Sequence, residues 1–327
     1  MMGLLYRLDE VPLMRYRNFT LHSADGAMLW CHEWTGSEAK AIVQIVHGAF
    51  EHAGRYAPFA RALGACGFAV IAEDHRGHGR TAQTPDELGR MGPANCIERA
   101  AKDVIQLALE ARVRLPGLPT ILFGHSLGAL ICQRVLAGHG ELYDAVVLSG
   151  ALSVGGLTEV KPLIDQAAAS HGRDAPAESL QRALLSELLV DIDAPRTPFD
   201  WLSRDGAEVD RYVADPRCGF PLTHGAWQDI AEVAPLTLDA AGLSRLRRDL
   251  PVLILSGAAD PVHGKGAAIR ELNAAYREAG MSQVCTRLYA EGRHEMLNEL
   301  NREEVINDTI EWLEDALARA RLAKRPQ

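Results

Sequence analysis

The chain has 327 residues, 47% of them hydrophobic and 24% charged, with a formal charge of −9 at neutral pH. That balance excludes a disordered chain and allows either two ordinary domains or one large α/β domain carrying an insertion. Net acidity disfavours nucleic acid or an anionic membrane as the main partner, and no apolar run reaches the roughly 18 residues of a membrane helix.

At the N-terminus, Arg7, Asp9 and Glu10 interrupt the apolar residues before a signal peptide is long enough, so a cytoplasmic location is expected. Asn18–Ser23 and Met28–Trp34, around the turn Ala24-Asp25-Gly26-Ala27, read as a hairpin. Short apolar runs follow at Ala41–Val46, Phe68–Ala72, Pro119–Phe123, Ala145–Leu148, Pro251–Leu255 and Gln283–Tyr289. Most are nearly continuous in Val, Ile, Leu and Ala rather than alternating, as strands covered on both faces require. Helical spacing lies between them, as in Tyr56, Phe59 and Leu63, and again in Ile306, Ile310, Leu313 and Leu317. This alternation predicts a mostly parallel sheet flanked by helices, with an antiparallel start.

One stretch breaks the rhythm. From Ala151 to about Arg248 no core strand is evident, and nearly a hundred residues is too long for a bare loop. It reads as a helical insertion over the sheet. Its aromatics Phe199, Trp201, Tyr212, Phe220 and Trp227 either hold it down or line a pocket. The six cysteines (Cys31, Cys66, Cys96, Cys132, Cys218 and Cys285) are scattered, so reduced and mostly buried thiols are expected.

Gly124-His125-Ser126-Leu127-Gly128 is a G-x-S-x-G run between a strand and a helical segment, the context of a nucleophile elbow. A serine hydroxyl needs a base, and the base needs a carboxylate to orient it. Asp260 and His294 follow the last two strands in the order that such an elbow requires. His263 shares the Asp260 loop and could face the pocket; Glu291 and Glu295 read as solvated, and His224 as at most a contact. The oxyanion donors expected are the N–H groups of Leu127 and of Ala49, in the loop His47-Gly48-Ala49-Phe50. His47 reads as a strand-end residue holding that loop, and Asp74 with Arg76 as a buried polar network beside the nucleophile. His75 and His78 sit in a glycine loop without further ligands, so no metal is expected. Gly264-Lys265-Gly266 lacks the rest of a phosphate loop, and no G-x-G-x-x-G follows the first strands.

HGAFEHAGRY (47–56), EDHRGHGRT (73–81), GHSLG (124–128), SGAADPV (256–262) and YAEGRHEMLNE (289–299) together resemble the monoacylglycerol lipase and lysophospholipase-like branch of the α/β-hydrolases, in the S33 serine aminopeptidase group. The resemblance runs from about Tyr16 to Leu317. It implies an α/β-hydrolase fold with core segments 1–150 and 249–327 and a mobile helical cap at 151–248. It also implies a Ser126–Asp260–His294 triad, an Ala49/Leu127 oxyanion hole, and hydrolysis of single-acyl-chain esters such as monoacylglycerols or lysophospholipids. Two positions depart from the pattern: Ala129 and Phe50 stand where the family commonly has glycine.

The leading expectation is therefore a serine carboxylic-ester hydrolase with no cofactor and no metal. Its partner would be a small lipid ester, with transient membrane-surface contact through the cap. Phe50, His125 and His263 are candidate substrate-pocket residues. Thioester, amide or C–C hydrolysis by the same triad is the alternative, and a non-hydrolytic ligand receptor on the same fold is the other class.

Overall fold

A computed structural model describes residues 14–36 and 38–323. The N-terminal charges at Arg7, Asp9 and Glu10 lie outside the described residues. The chain begins with β1 (Arg15–His22) and β2 (Met28–Thr35), then β3 (Ala41–Val46), α1 (Ala57–Ala65), β4 (Phe68–Glu73), α2 (Cys96–Arg114), β5 (Thr120–His125), α3 (Leu127–His139) and β6 (Ala145–Ser149). The helices α4 (Val154–His171), α5 (Glu178–Glu187), α6 (Gly206–Ala214), α7 (His224–Val233) and α8 (Ala240–Ser244) follow. The sheet resumes with β7 (Val252–Gly257), α9 (Ala267–Glu278), β8 (Val284–Tyr289) and α10 (Arg302–Ala323).

The strands form one sheet in the order β1-β2-β4-β3-β5-β6-β7-β8. The β1–β2 hairpin and the β2–β4 pair are antiparallel; the remaining pairs are parallel. This is the expected α/β-hydrolase architecture. Every residue of β3, β4, β5, β6 and β7 is buried, which explains their continuous apolar runs: helices cover both faces. Ile121 and Phe123 of β5 pack on the side of α1 and α10, whereas Leu122 packs with α2, α3 and α9. Tyr56 lies in a short 3-10 turn before α1 rather than in the helix.

The segment between β6 and β7 shares the larger core cluster with the sheet. Ala226, Trp227, Ile230 and Ala231 of α7 are buried in it, and Asp229 accepts a hydrogen bond from the Cys96 N–H at the start of α2, at 2.7 Å. A second, smaller cluster joins Trp201, Leu202 and Tyr212. Among the described residues no helix is long and apolar enough to cross a membrane, and Cys31, Cys96, Cys132, Cys218 and Cys285 are free thiols.

Candidate active site

Three loops at the C-terminal ends of the parallel strands build the site. The first is the turn from β5 into α3. Ser126 has φ 53° and ψ −118°, a left-handed conformation that costs a residue with a side chain about 1–3 kcal/mol. The surroundings explain the two flanking glycines. A Cβ on Gly124 would lie 2.5 Å from Cys132 Sγ, and one on Gly128 would lie 2.0 Å from the Val46 carbonyl oxygen. The turn is therefore wedged between β3 and α3. Leu127 opens α3, so the helix itself makes no use of its N–H.

The second and third loops follow β7 and β8, and they touch through backbone. Ala258 N–H donates to the Tyr289 carbonyl at 2.8 Å and Ala259 N–H to the Gly292 carbonyl at 2.9 Å. A Cβ on Gly257 would lie 1.9 Å from the Gly292 oxygen, so glycine permits this approach. The result is a 2.8 Å hydrogen bond from His294 Nδ1 to Asp260 Oδ2. Asp260 is fully buried. Burial alone would raise its pKa; His294 and the hydrogen bonds from His263 and His294 outweigh that and hold it well below the carboxylate range. Val262 N–H donates to its other oxygen at 2.9 Å and the Ser256 hydroxyl to Oδ2 at 3.2 Å. Burial pushes His294 down, but Asp260 more than compensates, and its pKa lies above the ordinary value of 6.5.

Ser126, His294, Ala49, Leu127 and Phe50 all line one cavity of about 410 Å³, walled further by Leu157, Val160, Leu184, Trp201 and Trp227 of the inserted segment. Two of the five dense aromatics, Trp201 and Trp227, thus face the pocket. Phe199 lines a separate outer groove, while Tyr212 and Phe220 are buried packing residues.

One pocket candidate, His263, is corrected, and another, His125, lines a neighbouring recess. His263 is fully buried beneath Asp260 rather than facing the cavity. The 3-10 turn Pro261–His263 points its ring inward. Its Nδ1 accepts the Gly266 N–H at 2.8 Å, so the proton sits on Nε2, which faces Ser256 Oγ at 2.7 Å and Asp260 Oδ2 at 3.1 Å. His125 lines a small neighbouring recess with Glu51, Arg55 and Glu295. Burial, then the charge of His294, push its pKa down to about 4. The ring is therefore neutral at pH 7 and packs 4.8 Å from the His294 ring.

Glu295 is also not solvated. Arg55 grips its two oxygens at 2.6 and 2.7 Å, and the same guanidinium holds Glu51 Oε2 at 2.6 Å. Glu51 Oε1 accepts the Gly48 N–H at 2.6 Å and the Tyr56 hydroxyl at 2.8 Å. This bridge from the Ala49 loop to the His294 loop carries no local sequence signal beyond the motif in which its residues occur. Glu291, by contrast, is solvated. His47 holds its loop as expected: its Nδ1 reaches the Gly48 carbonyl at 2.7 Å and its Nε2 accepts the His75 N–H at 3.0 Å.

Asp74 and Arg76 belong to two networks, not one. Asp74 takes the N–H groups of Ala53 and Arg80, whereas Arg76 pairs with Asp103 and Asp25. His75 and His78 spend one ring nitrogen each on backbone carbonyls. Among the described residues the group with metal-ligand atoms close together is His52, Asp215 and Cys218, within 4.8 Å; His52 and Asp215 are already joined at 2.9 Å.

A mostly parallel eight-stranded sheet with a strained serine turn and an Asp–His pair at its strand ends defines the α/β-hydrolase class. The sequence profile of the serine aminopeptidase S33 family matches residues 37–301, and the chain belongs to that family, in its monoacylglycerol lipase-like branch; it is a serine hydrolase. It is 30% identical over 308 residues to the monoglyceride lipase of Mus musculus, covering 92% of this chain and 91% of the mouse protein. It is 29% identical over 285 residues to the monoacylglycerol lipase of Mycolicibacterium smegmatis, covering 86% and 90%. Among solved structures it is similar to a thermostable carboxyl esterase from Bacillus coagulans in complex with glycerol, with a TM-score of 0.85 and 25% identity, covering 93% of this chain and 99% of the esterase. A soluble variant of the Saccharomyces cerevisiae monoglyceride lipase shares the fold with a TM-score of 0.71 at 19% identity, covering 97% and 99%.

Proposed function

We propose that this protein hydrolyses a single-acyl-chain lipid ester through an acyl-enzyme on Ser126. The observation that carries the reading is the buried 2.8 Å Asp260–His294 hydrogen bond, reaching the same cavity as the strained Ser126. With Nδ1 committed to Asp260, His294 has Nε2 free to take the serine proton as Oγ attacks the carbonyl. The N–H groups of Ala49 and Leu127 then receive the developing oxyanion, aided by the positive end of α3. Collapse expels the alcohol, protonated by His294, and water activated by the same imidazole releases the acid. No step calls for a metal or a cofactor.

The substrate class rests on the cavity and on the relatives. Leu157, Val160, Leu184, Trp201 and Trp227 present apolar surface suited to one acyl chain, and the mouse and mycobacterial relatives are named as lipases of monoglycerides. In this reading residues 1–150 and 249–327 form the hydrolase core and 151–248 a cap. Leu163 and Val190, exposed on that segment, supply apolar contacts for a transient encounter with a lipid surface.

Fluorophosphonate labelling tests the nucleophile: wild type should label and Ser126→Ala should not, with hydrolysis lost by a factor of about 10⁴ or more. Undiminished labelling of Ser126→Ala would refute it. A panel of aryl esters, monoacylglycerols of graded length, lysophospholipids, acyl-CoA thioesters and aminoacyl anilides then reads the bond. Preference for anilides would transfer the reading to the amide chemistry that the family description suggests.

A further inference from the structure

We propose that Tyr212 and Gly219, both in the inserted segment, position the backbone donor at Ala49, making that segment part of the oxyanion machinery. This rests on the reading of Ser126 and Ala49 above. The loop after β3 is tethered on both sides of Ala49. On the core side, Glu51 Oε1 accepts the Gly48 N–H at 2.6 Å. On the other side, the Phe50 carbonyl accepts the Gly219 N–H at 2.9 Å and the Tyr212 hydroxyl at 2.9 Å. Phe50 has φ 60°, where a residue with a side chain is disfavoured by about 1–2 kcal/mol and persists only if its surroundings hold it.

The tether is itself firmly seated. The Tyr212 ring is buried between the Arg55 guanidinium, 4.8 Å from its centre, and the Phe199 ring at 5.0 Å. Burial holds its hydroxyl well above the usual phenol pKa, so it stays a donor at any working pH. Gly219 has φ 70°, and a Cβ there would lie 2.9 Å from Phe199 Cζ; glycine is what lets the turn aim its N–H at Phe50. A second tie, His52 to Asp215 at 2.9 Å, joins the same loop to the same segment. Oxyanion donors work because they are set before the charge appears, so a loop released from Phe50 would lose rate rather than binding.

The experiment compares wild type with Tyr212→Phe, with rates counted per Ser126 titrated by fluorophosphonate. Substrates are the acetyl and decanoyl esters of p-nitrophenol. A short alkyl trifluoromethyl ketone reads the oxyanion site directly: Oγ bonds to its carbonyl carbon, the π pair moves to oxygen, and the serine proton goes to His294. Tyr212→Phe should lower kcat about tenfold for both esters, leave KM unchanged and weaken the ketone by a similar factor. Val213→Ala, on the exposed side of the same helix, keeps the hydroxyl and its packing and should retain kcat. Gly219→Ala, which disturbs the other tether, should repeat the Tyr212→Phe pattern and serves if that variant yields no titratable enzyme. Unchanged kcat and ketone affinity in these variants, or a change confined to KM for the decanoyl ester, would overturn the proposal and make Tyr212 a packing or pocket-wall residue. Turnover by Ser126→Ala would instead bring down the site reading, and the proposal with it.

Discussion

Asp260 is a carboxylate with no exposed surface, and its ionisation depends on four donors converging on it, from His294, His263, Ser256 and the Val262 N–H. In Asp260→Asn the amide can turn its NH₂ toward His294 Nδ1. The imidazole would then carry its proton on Nε2, where it cannot accept one from Ser126. We expect kcat to fall about 10⁴-fold with the fold intact, measured by steady-state hydrolysis beside circular dichroism. The raised pKa of His294 makes a second prediction. The protonated ring cannot act as base, so kcat/KM should rise with pH through a midpoint above 6.5; a profile across about pH 5 to 9 checks this. The stability contributed by the protonated ring beside Asp260 runs the other way. It is fully present below the unfolded value near 6.5 and is lost as pH rises through the folded value.

The elbow concerns how closely two elements can approach. Because a Gly128 Cβ would lie 2.0 Å from the Val46 oxygen, Gly128→Ala must push α3 away from β3. We expect about 2–4 kcal/mol of lost stability in urea unfolding, together with slower fluorophosphonate labelling of the remaining folded enzyme. Ala129 meets no such obstacle. Its methyl is buried in the main cluster and its N–H bonds to the Ser126 carbonyl at 2.9 Å, which explains why glycine is dispensable there. Phe50 is the harder departure, since its backbone does adopt a left-handed angle. Its ring compensates by lying buried 6.0 Å from Trp227.

At the scale of the molecule, the segment between β6 and β7 does more than roof a cavity. Besides tethering Phe50, it holds the loop of His294: Glu295 N–H donates to the Leu202 carbonyl at 2.7 Å, and Arg293 reaches the Asp200 carbonyl at 2.6 Å. Trp227 is the side chain through which we expect it to govern chain length. Trp227→Ala enlarges the cavity beside Phe50, and monoacylglycerols of graded length should show preference moving to longer chains, at about 3 kcal/mol of stability. An unchanged length profile would place the acyl chain elsewhere.

The α/β layering, the strand positions and Ser126, Asp260 and His294 as candidates were readable in the sequence because their causes are local. Buried parallel strands need unbroken apolar runs, and the elbow needs glycines two residues either side of a serine. The reading of His263 as a pocket residue failed for a different reason. Position in a loop does not say on which side of the backbone a ring lies, and the His263 ring turned into the protein. Glu51, Arg55 and Glu295 meet across 240 residues of chain, and Tyr212 reaches Phe50 across 162. No spacing rule reports such pairs, because a hydrogen bond between distant segments depends on how the strands order themselves in the sheet. The sequence by itself determined the chemistry available and the scaffold that carries it. Only the tertiary structure decided which side chains hold the donors still, since that depends on contacts made after the sheet has closed.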